Sequence, residues 1–225
     1  MNDEIDVKEF IPDSLERPKA TLYKDAIVFV GMHYDESPSN PLEDCDGMGS
    51  ITSASTRHLN HGDVLGILEH NPDAVPLSYF EHSQCQWMVA SAPKGMFGGD
   101  WRWDGVDLAG AWEPDPALLD EAKDLTGDAR KEMMTKWAAE ACEQFTNFCN
   151  GEVYGYTVDA YVARYSAKGA LFDRDDDYRY DDPIGGDSCW GFYGYDEYFA
   201  REVEGAVSSV LAEIDKKEAA VSVKD

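Results

Sequence analysis

The sequence lacks an apolar run long enough to cross a bilayer. The longest, AIVFVGM at 26–32, falls far short of the ~20 residues that a spanning helix needs. The acidic N-terminal segment MNDEIDVKEF also lacks the apolar stretch of a signal peptide. We therefore expect a cytosolic protein with no membrane partner.

Basic residues are scarce as well. The 225 residues contain 19 Lys and Arg against 45 Asp and Glu, which gives a net charge of −26. Such a surface repels nucleic acids and attracts basic proteins, so we expect no direct contact with nucleic acid. An acid-rich composition is also typical of proteins from salt-adapted organisms, and that explanation stays open as an alternative.

Cysteine is rare and odd in number, with five in the chain. This count is typical of reduced thiols rather than of a disulfide framework, and we expect most of them to be buried. Cys189 lies in GGDSCWGFYGYDEYF, whose Ser-Cys-Trp core resembles the nucleophile segment of papain-like proteases. All five histidines precede it, and the nearby carboxylate of Asp187 disfavours a thiolate. We therefore interpret Cys189 as a buried, slowly reacting structural thiol.

Sequence motifs of catalysis are missing too. The chain has no Walker loop, no GxGxxG after a strand, no GxSxG, no CxxC and no HExxH. These motifs bind nucleotides or metals, or position nucleophiles, so we expect no cofactor and favour a protein that is not an enzyme. The alternative is a metal-dependent or hydrolytic enzyme centred on His58, His61 and Asp63, because two histidines three residues apart can share a metal. Asp35 and His82 are further candidates for that site.

The apolar pattern predicts a mixture of strands and helices. Strands are predicted at 26–34, 50–55, 75–82, 84–92, 150–165 and 187–194. Helices are predicted at 61–70, from the N-cap Asp115 and Pro116 to Gly127, from the cap Asp128 to about 149, and from near Asp196. The two longest helices have the apolar faces Met134, Ala138, Ala141, Phe145, Phe148 and Phe199, Val203, Ala206, Val210, Ile214.

The order of these elements predicts one domain. Strands and helices are mixed without regular βαβ alternation, which favours an α+β fold with a mainly antiparallel sheet packed by two or three helices. We place this domain at 25–215, and we expect 150–165 and 187–194 to be antiparallel neighbours. Residues 1–24 are interpreted as a poorly structured arm and 216–225 as a frayed tail.

An acidic segment connects the last two predicted strands. Residues 171–187 contain seven Asp and two Arg, and the following helix continues the charge, with eleven acidic and three basic residues between 173 and 204. A charge run of this kind is commonly a solvated loop. It is also suited to a basic protein, because spread carboxylates can imitate the phosphates of a duplex. The predicted partner-binding residues are Asp173, Asp175, Asp176, Asp177, Asp181, Asp182, Glu197, Glu202 and Glu204.

Three segments carry a combination of motifs. They are HYDESPSNPLEDCDGMGSITSASTRHLNHGD at 33–63, NGEVYGY at 150–156 and DSCWGFYG at 187–194. In this combination the chain resembles a family of accessory proteins encoded by bacteriophages and plasmids. The resemblance implies a mobile-element accessory protein. The chain departs from it at Cys45 and Asp46, where an aromatic residue is expected, and in its longer acidic insertion.

Two hypotheses of different classes follow. In the first, the chain is an accessory protein in the host cell cytosol that occupies the basic groove of a nucleic-acid-handling host protein, such as a restriction or CRISPR component. It would compete with nucleic acid as a DNA mimic, as a monomer or as a homodimer. In the second, it is an enzyme built around His58, His61 and Asp63.

Overall fold

The computed structural model describes residues 6–15 and 17–222, and within them the side chains of all residues except 44 and 218–222. Its strands are β1 (Lys19–Tyr23), β2 (Ala26–Tyr34), β3 (Ser50–Ser53), β4 (Val75–His82), β5 (Gln84–Val89), β6 (Gly105–Glu113), β7 (Val153–Val162) and β8 (Gly185–Tyr193). Its α-helices are α1 (Pro41–Asp44), α2 (Val64–His70), α3 (Trp101–Asp104), α4 (Pro116–Glu121), α5 (Gly127–Cys149) and α6 (Glu197–Ser222).

The α+β class with antiparallel pairing is confirmed. The strands form two four-stranded sheets, in the orders β1-β2-β7-β8 and β3-β6-β4-β5, with antiparallel neighbours throughout. The single sheet of the prediction is therefore divided in two. The chain forms two compact units, unit 1 with residues 1–37 and 153–225, and unit 2 with residues 38–152. The boundaries 25–215 of a single domain stay a prediction.

Unit 1 is built around β2, which pairs with β1 and β7 and is buried from Ala26 to Met32. Successive side chains of a strand point to opposite faces of its sheet. Val28 and Val30 lie in one apolar cluster with the buried side of α6, whereas Ile27 and Phe29 lie in another. The predicted apolar face of α6 is confirmed, because Phe199, Val203, Ala206, Val210 and Ile214 are all buried.

The predicted pairing of the two late strands is also confirmed. β7 and β8 are antiparallel neighbours with Tyr156 opposite Cys189, and the acidic segment connects them. Gly155 is needed here, because a Cβ at this position would collide with the indole of Trp190 and lie 2.9 Å from the carbonyl oxygen of Cys189. The close approach of the two strands therefore depends on glycine.

Unit 2 packs α5 against its sheet. Met134, Ala138, Ala141 and Phe145 are buried, as the predicted face requires, and Phe148 is half-buried. They form one cluster with apolar side chains of β4, β5 and β6. The predicted helix cap at Asp115 is confirmed, since its carboxylate accepts a hydrogen bond of 3.0 Å from the backbone N–H of Leu118.

Two predictions on the chain's organisation are corrected, and one strand was not predicted. Within the expected arm, β1 pairs with β2 over its whole length, because the alternation of KATLY suits an edge strand despite the preceding Pro18. β6 was missed, because Gly105 and Gly110 lower its strand propensity. Within the expected tail, α6 continues to Ser222, since the last turns contain no helix breaker. Residues 1–5, 16 and 223–225 lie outside the described residues. None of the helices found in the described ranges is long and apolar enough to cross a membrane.

Candidate functional site

The acidic loop is the segment 171–187, which follows β7 and includes the first three residues of β8. Most of its predicted partner-binding residues lie on the surface of unit 1. The exposed ones are Asp173, Asp175, Asp176, Asp177 and Asp182, and Asp181 is half-buried. On α6, Glu197 is exposed, whereas Glu202 and Glu204 are half-buried. The structure therefore makes nearly all of these carboxylates accessible to a partner.

Tyr178 anchors the acidic loop in unit 1. Its side chain is fully buried and packs on Phe29 and Tyr161, with ring centroids 5.5 and 5.4 Å apart. Its hydroxyl donates a hydrogen bond to the carbonyl oxygen of Phe172 and accepts one from the backbone N–H of Arg164, both at 3.0 Å. A 3-10 helix, Asp175–Tyr178, presents the carboxylates directly before this anchor. The loop is therefore held by specific contacts.

The anchor lies on the face of the sheet opposite α6. Tyr178 clusters with Ile27 and Phe29, whereas α6 clusters with Val28 and Val30. Since these alternate along β2, the loop anchor and α6 cover opposite faces of the sheet. The loop therefore reaches both faces: Tyr178 anchors it on the face of Ile27 and Phe29, whereas near its end the carbonyl oxygen of Ile184 accepts a hydrogen bond from Lys217 of α6. The continuous charge field stays a prediction.

Few basic side chains neutralise the acidic loop. Arg164 lies 2.8 Å from Asp181, and Arg174 lies 3.9 Å from Asp176. Exposed pairs of this kind contribute only about 0–1 kcal/mol. No other loop Asp from 173 to 182 has a basic side chain at ion-pair distance within the described ranges. The loop therefore presents an excess of negative charge.

The negative charge of the acidic loop also acts on Asp159 of β7. Partial burial, and then the negative charge of Asp175, raise the pKa of the Asp159 carboxyl. A carboxyl whose pKa is raised by folding destabilises the fold once it is ionised, and this cost disappears as the pH falls below the unfolded pKa. Asp159 is therefore a site where the acidic loop reduces stability.

We expect Asp159→Asn to stabilise unit 1 at neutral pH by up to about 1 kcal/mol, because it removes a partly buried charge and its repulsion with Asp175. Thermal unfolding followed by circular dichroism at pH 7 measures the gain. The gain should vanish below the ordinary Asp pKa of 3.8, because the wild-type carboxyl is then neutral too. The control is Asp182→Asn, which makes the same charge change at an exposed position. An equal gain in both variants, or none in Asp159→Asn, would contradict this account.

The residues of the enzyme alternative have separate structural contacts. Nδ1 of His58 lies 2.7 Å from Oγ of Ser53, and its ring contacts Tyr79 and Trp87 edge-on. Asp63 caps α2 through the backbone N–H of Gly66, at 3.0 Å.

The three other candidates do not complete a site. His61 is exposed and forms an isolated β-bridge with Ser53. Asp35 of unit 1 accepts a hydrogen bond of 3.0 Å from the backbone N–H of Ser37. Nδ1 of His82 lies 2.8 Å from Asp104, whose hydrogen bond and charge raise the His82 pKa. In residues 6–15 and 17–222, no three or more His, Cys, Asp or Glu side chains are placed to hold a metal ion.

The predicted burial of Cys189 is wrong. Cys189 is exposed, because β8 is an edge strand of its sheet and its residues 186–190 are open to solvent. Its neighbour Trp190 stacks on the ring of His33, with centroids 5.8 Å apart. All five cysteines are free thiols, but only Cys142 is buried, and burial raises the pKa of Cys142 to about 12.

A cavity in unit 2 was not found from the sequence. It has a volume of about 790 Å³, and its wall includes His58, Tyr79, Cys85, Trp87 and Cys149. The two cysteines come from β5 and from the last turn of α5, so no local motif connects them. The only signal in the sequence was the apolar pattern of the strand that contains Cys85 and of the helix that ends at Cys149.

Comparisons of the chain with protein-family models, with curated proteins and with solved structures found no match. The resemblance to phage- and plasmid-encoded accessory proteins therefore stays a prediction from the sequence. Function has to be inferred from the charges, contacts and cavities of the chain itself.

Proposed function

We propose that the chain is a binding protein whose acidic loop occupies a basic groove of a nucleic-acid-handling protein. In this proposal it is a mobile-element accessory protein that acts in the host cell cytosol and competes with nucleic acid for Lys and Arg side chains. The observation that carries the proposal is the anchored loop. Tyr178 is fully buried, most carboxylates around it are exposed, and two of them lie at ion-pair distance from an arginine. Carboxylates fixed in place lose less conformational freedom on binding than those of a mobile chain.

Exposed aromatic side chains lie beside the loop carboxylates. Tyr180 is 84% exposed, and the guanidinium of Arg179 lies 4.6 Å from its ring centroid. Tyrosine and arginine are enriched among the residues that contribute most to protein interfaces. Acidic and aromatic groups together therefore support a protein partner. The charge accelerates encounter, and the ring provides contact area.

The charge of the whole chain supports a second explanation. Unit 2 carries the same net negative charge as unit 1, so the acidity is not confined to the loop. General acidity increases solubility and suits a salt-rich cytoplasm. The binding proposal therefore has to be tested with variants that change the loop and leave the rest of the charge in place.

The decisive test compares two sets of substitutions. The loop set changes Asp173, Asp175, Asp176, Asp177, Asp181 and Asp182 to Asn, and the helix set changes Glu197, Glu202 and Glu204 to Gln. Each variant and the wild type are immobilised, and host lysate proteins are captured and identified by mass spectrometry. A captured protein counts only if it binds nucleic acid and if the wild-type chain displaces that nucleic acid.

We expect the loop set to weaken binding to the captured protein about tenfold or more, mainly through a slower association rate. The helix set should weaken it much less, because α6 covers the face of the sheet opposite the Tyr178 anchor. Wild-type affinity should fall steeply with salt, while single Asp→Asn changes should each cost about 0–1 kcal/mol. Equal affinity and salt response in the loop set and the wild type would refute the proposal and favour general acidity.

A further inference from the structure

The end of α5 is fixed against the free edge of β5 in unit 2. The side chain of Asn150 makes two hydrogen bonds to the backbone of Cys85, accepting from its N–H and donating to its carbonyl oxygen, both at 2.9 Å. One turn earlier, Oγ1 of Thr146 accepts from the backbone N–H of Trp87 at 2.9 Å. β5 is the last strand of its sheet, so these side chains replace a neighbouring strand. These hydrogen bonds hold Cys149, the residue before Asn150, beside Cys85.

The two thiols form a hydrogen-bonded pair. The thiol of Cys149 and the hydroxyl of Tyr79 are hydrogen-bonding neighbours of the Cys85 sulfur. The bond from Cys149 lowers the pKa of Cys85, although burial and the charge of Glu81 oppose the shift. The same interaction raises the pKa of Cys149. Of the two thiols, Cys85 is therefore the one whose ionisation its neighbours favour.

The pair is accessible from the cavity of about 790 Å³ that both cysteines line, together with His58, Tyr79 and Trp87. Cys85 is half-buried rather than enclosed. A small neutral oxidant can therefore reach the thiolate. Accessible thiolates next to a second cysteine are the arrangement of redox-sensing sites, because the second thiol resolves the oxidised first one.

We propose that Cys85 and Cys149 are a hydroperoxide-sensitive dithiol site that closes to a disulfide. The Cys85 thiolate attacks one oxygen of hydrogen peroxide, the O–O bond breaks, and the released hydroxide takes a proton to give water. Sγ of Cys149 then attacks the resulting sulfenic acid of Cys85. The S–S bond forms, the S–O bond breaks, and the thiol proton of Cys149 leaves in a second water. Two thiols and one peroxide thus give one disulfide and two waters.

The disulfide would join the end of α5 covalently to β5, in addition to the two hydrogen bonds of Asn150. A cross-link between residues so far apart in sequence restricts the unfolded chain, so the oxidised protein should melt at a higher temperature than the reduced one. The site lies within unit 2, and the proposal does not depend on the function assigned to the acidic loop.

The test exposes the fully reduced full-length chain to one equivalent of hydrogen peroxide. Free thiols are then alkylated, and peptides are mapped by mass spectrometry without reduction. We expect a linked Cys85–Cys149 peptide pair that is two hydrogens lighter than its reduced form and that disappears with dithiothreitol. Cys85 should react about tenfold or more faster than the exposed, unpaired Cys189. Its rate should rise with pH to a midpoint below the ordinary thiol pKa of 9.0.

Three variants separate the roles of the two cysteines. In Cys149→Ser, Cys85 should remain as a sulfenic acid that a 1,3-dione reagent traps. In Cys85→Ser, Cys149 should react at least about tenfold more slowly than Cys85 does in the wild type. The matched control, Cys189→Ser, should form the disulfide at the wild-type rate.

Wild-type mapping alone decides the proposal if a variant fails to fold. The proposal is overturned if no Cys85–Cys149 link forms, if another cysteine pair links first, or if Cys189 reacts as fast as Cys85. A midpoint of the pH profile at or above 9.0 would equally overturn the role of Cys85 as the stabilised thiolate.

Discussion

Tyr178→Ala should lower the free energy of unfolding of unit 1 by about 3–5 kcal/mol, the usual cost of removing a buried aromatic side chain. The ring is fully buried against Phe29 and Tyr161. Its loss leaves a cavity on the sheet face opposite α6 and releases the acidic loop from its anchor. Urea unfolding measures the loss of stability, and hydrogen exchange of residues 171–187 measures the release of the loop.

Tyr178→Phe isolates the contribution of the hydroxyl group. It keeps the ring but removes the hydrogen bonds to Phe172 and Arg164, both partly buried, at a cost of about 0.5–1.5 kcal/mol for each bond. Tyr180→Phe is the matched control, because Tyr180 is 84% exposed, and surface changes usually stay within about 0.5 kcal/mol. If Tyr178→Ala unfolds like the wild type, the loop is not anchored in this way.

These variants also connect the anchor with the proposed binding. Tyr178→Phe changes no charge at neutral pH, so a partner that depends on charge alone should bind it with wild-type affinity. A partner that needs the carboxylates held in place should bind it more weakly, because the loop must then be ordered on binding. The ratio of the two affinities therefore measures how far binding depends on the anchored geometry.

Elements with a strong periodic pattern could be predicted from the sequence. The apolar faces of α5 and α6 and the bounds of β2 were correct, because burial against a sheet imposes one spacing on each helix. β6 was missed, since Gly110 is selected for a close approach: its Cβ would lie 2.6 Å from the carbonyl oxygen of Thr52. Such contacts come from strands distant in sequence. Local propensity therefore underestimates strands of this kind.

The candidate sites were predictable only where charge alone defines them. The exposure of most loop carboxylates followed from composition, but the position of the Tyr178 anchor opposite α6 depends on which face of β2 each element covers. Cys189 was misjudged because the sequence does not show that β8 is an edge strand. The Cys85–Cys149 pair depends on hydrogen bonds between the end of α5 and the edge strand β5. No motif in the sequence predicts that contact.

Asp115→Ala should lower the free energy of unfolding of unit 2 by about 2–4 kcal/mol, combining a lost helix cap with lost hydrogen bonds to a charged group. One carboxylate oxygen caps α4 at Leu118, at 3.0 Å, and the other accepts from the N–H groups of Gly47 and Gly49, at 2.7 and 3.3 Å. The loop that contains Gly47 and Gly49 is also held by Trp112, whose Nε1 donates to the carbonyl oxygen of Met48 at 2.8 Å. Urea unfolding at pH 7 measures the loss.

The contribution of Asp115 should also depend on pH. Burial opposes its ionisation, but the backbone N–H donors, Leu118 and Gly49 foremost, lower the pKa of its carboxyl below the ordinary 3.8. A carboxyl whose pKa is lowered by folding stabilises the fold above its unfolded pKa, and this stabilisation is lost as the pH falls through the folded pKa. The difference between wild type and Asp115→Asn should therefore be full at pH 7 and shrink below pH 3.8. The control is Asp120→Ala, an exposed carboxylate of the same helix, which should change stability little at either pH. A difference that stays constant from pH 7 to pH 2 would show that the Asp115 charge does not hold this loop.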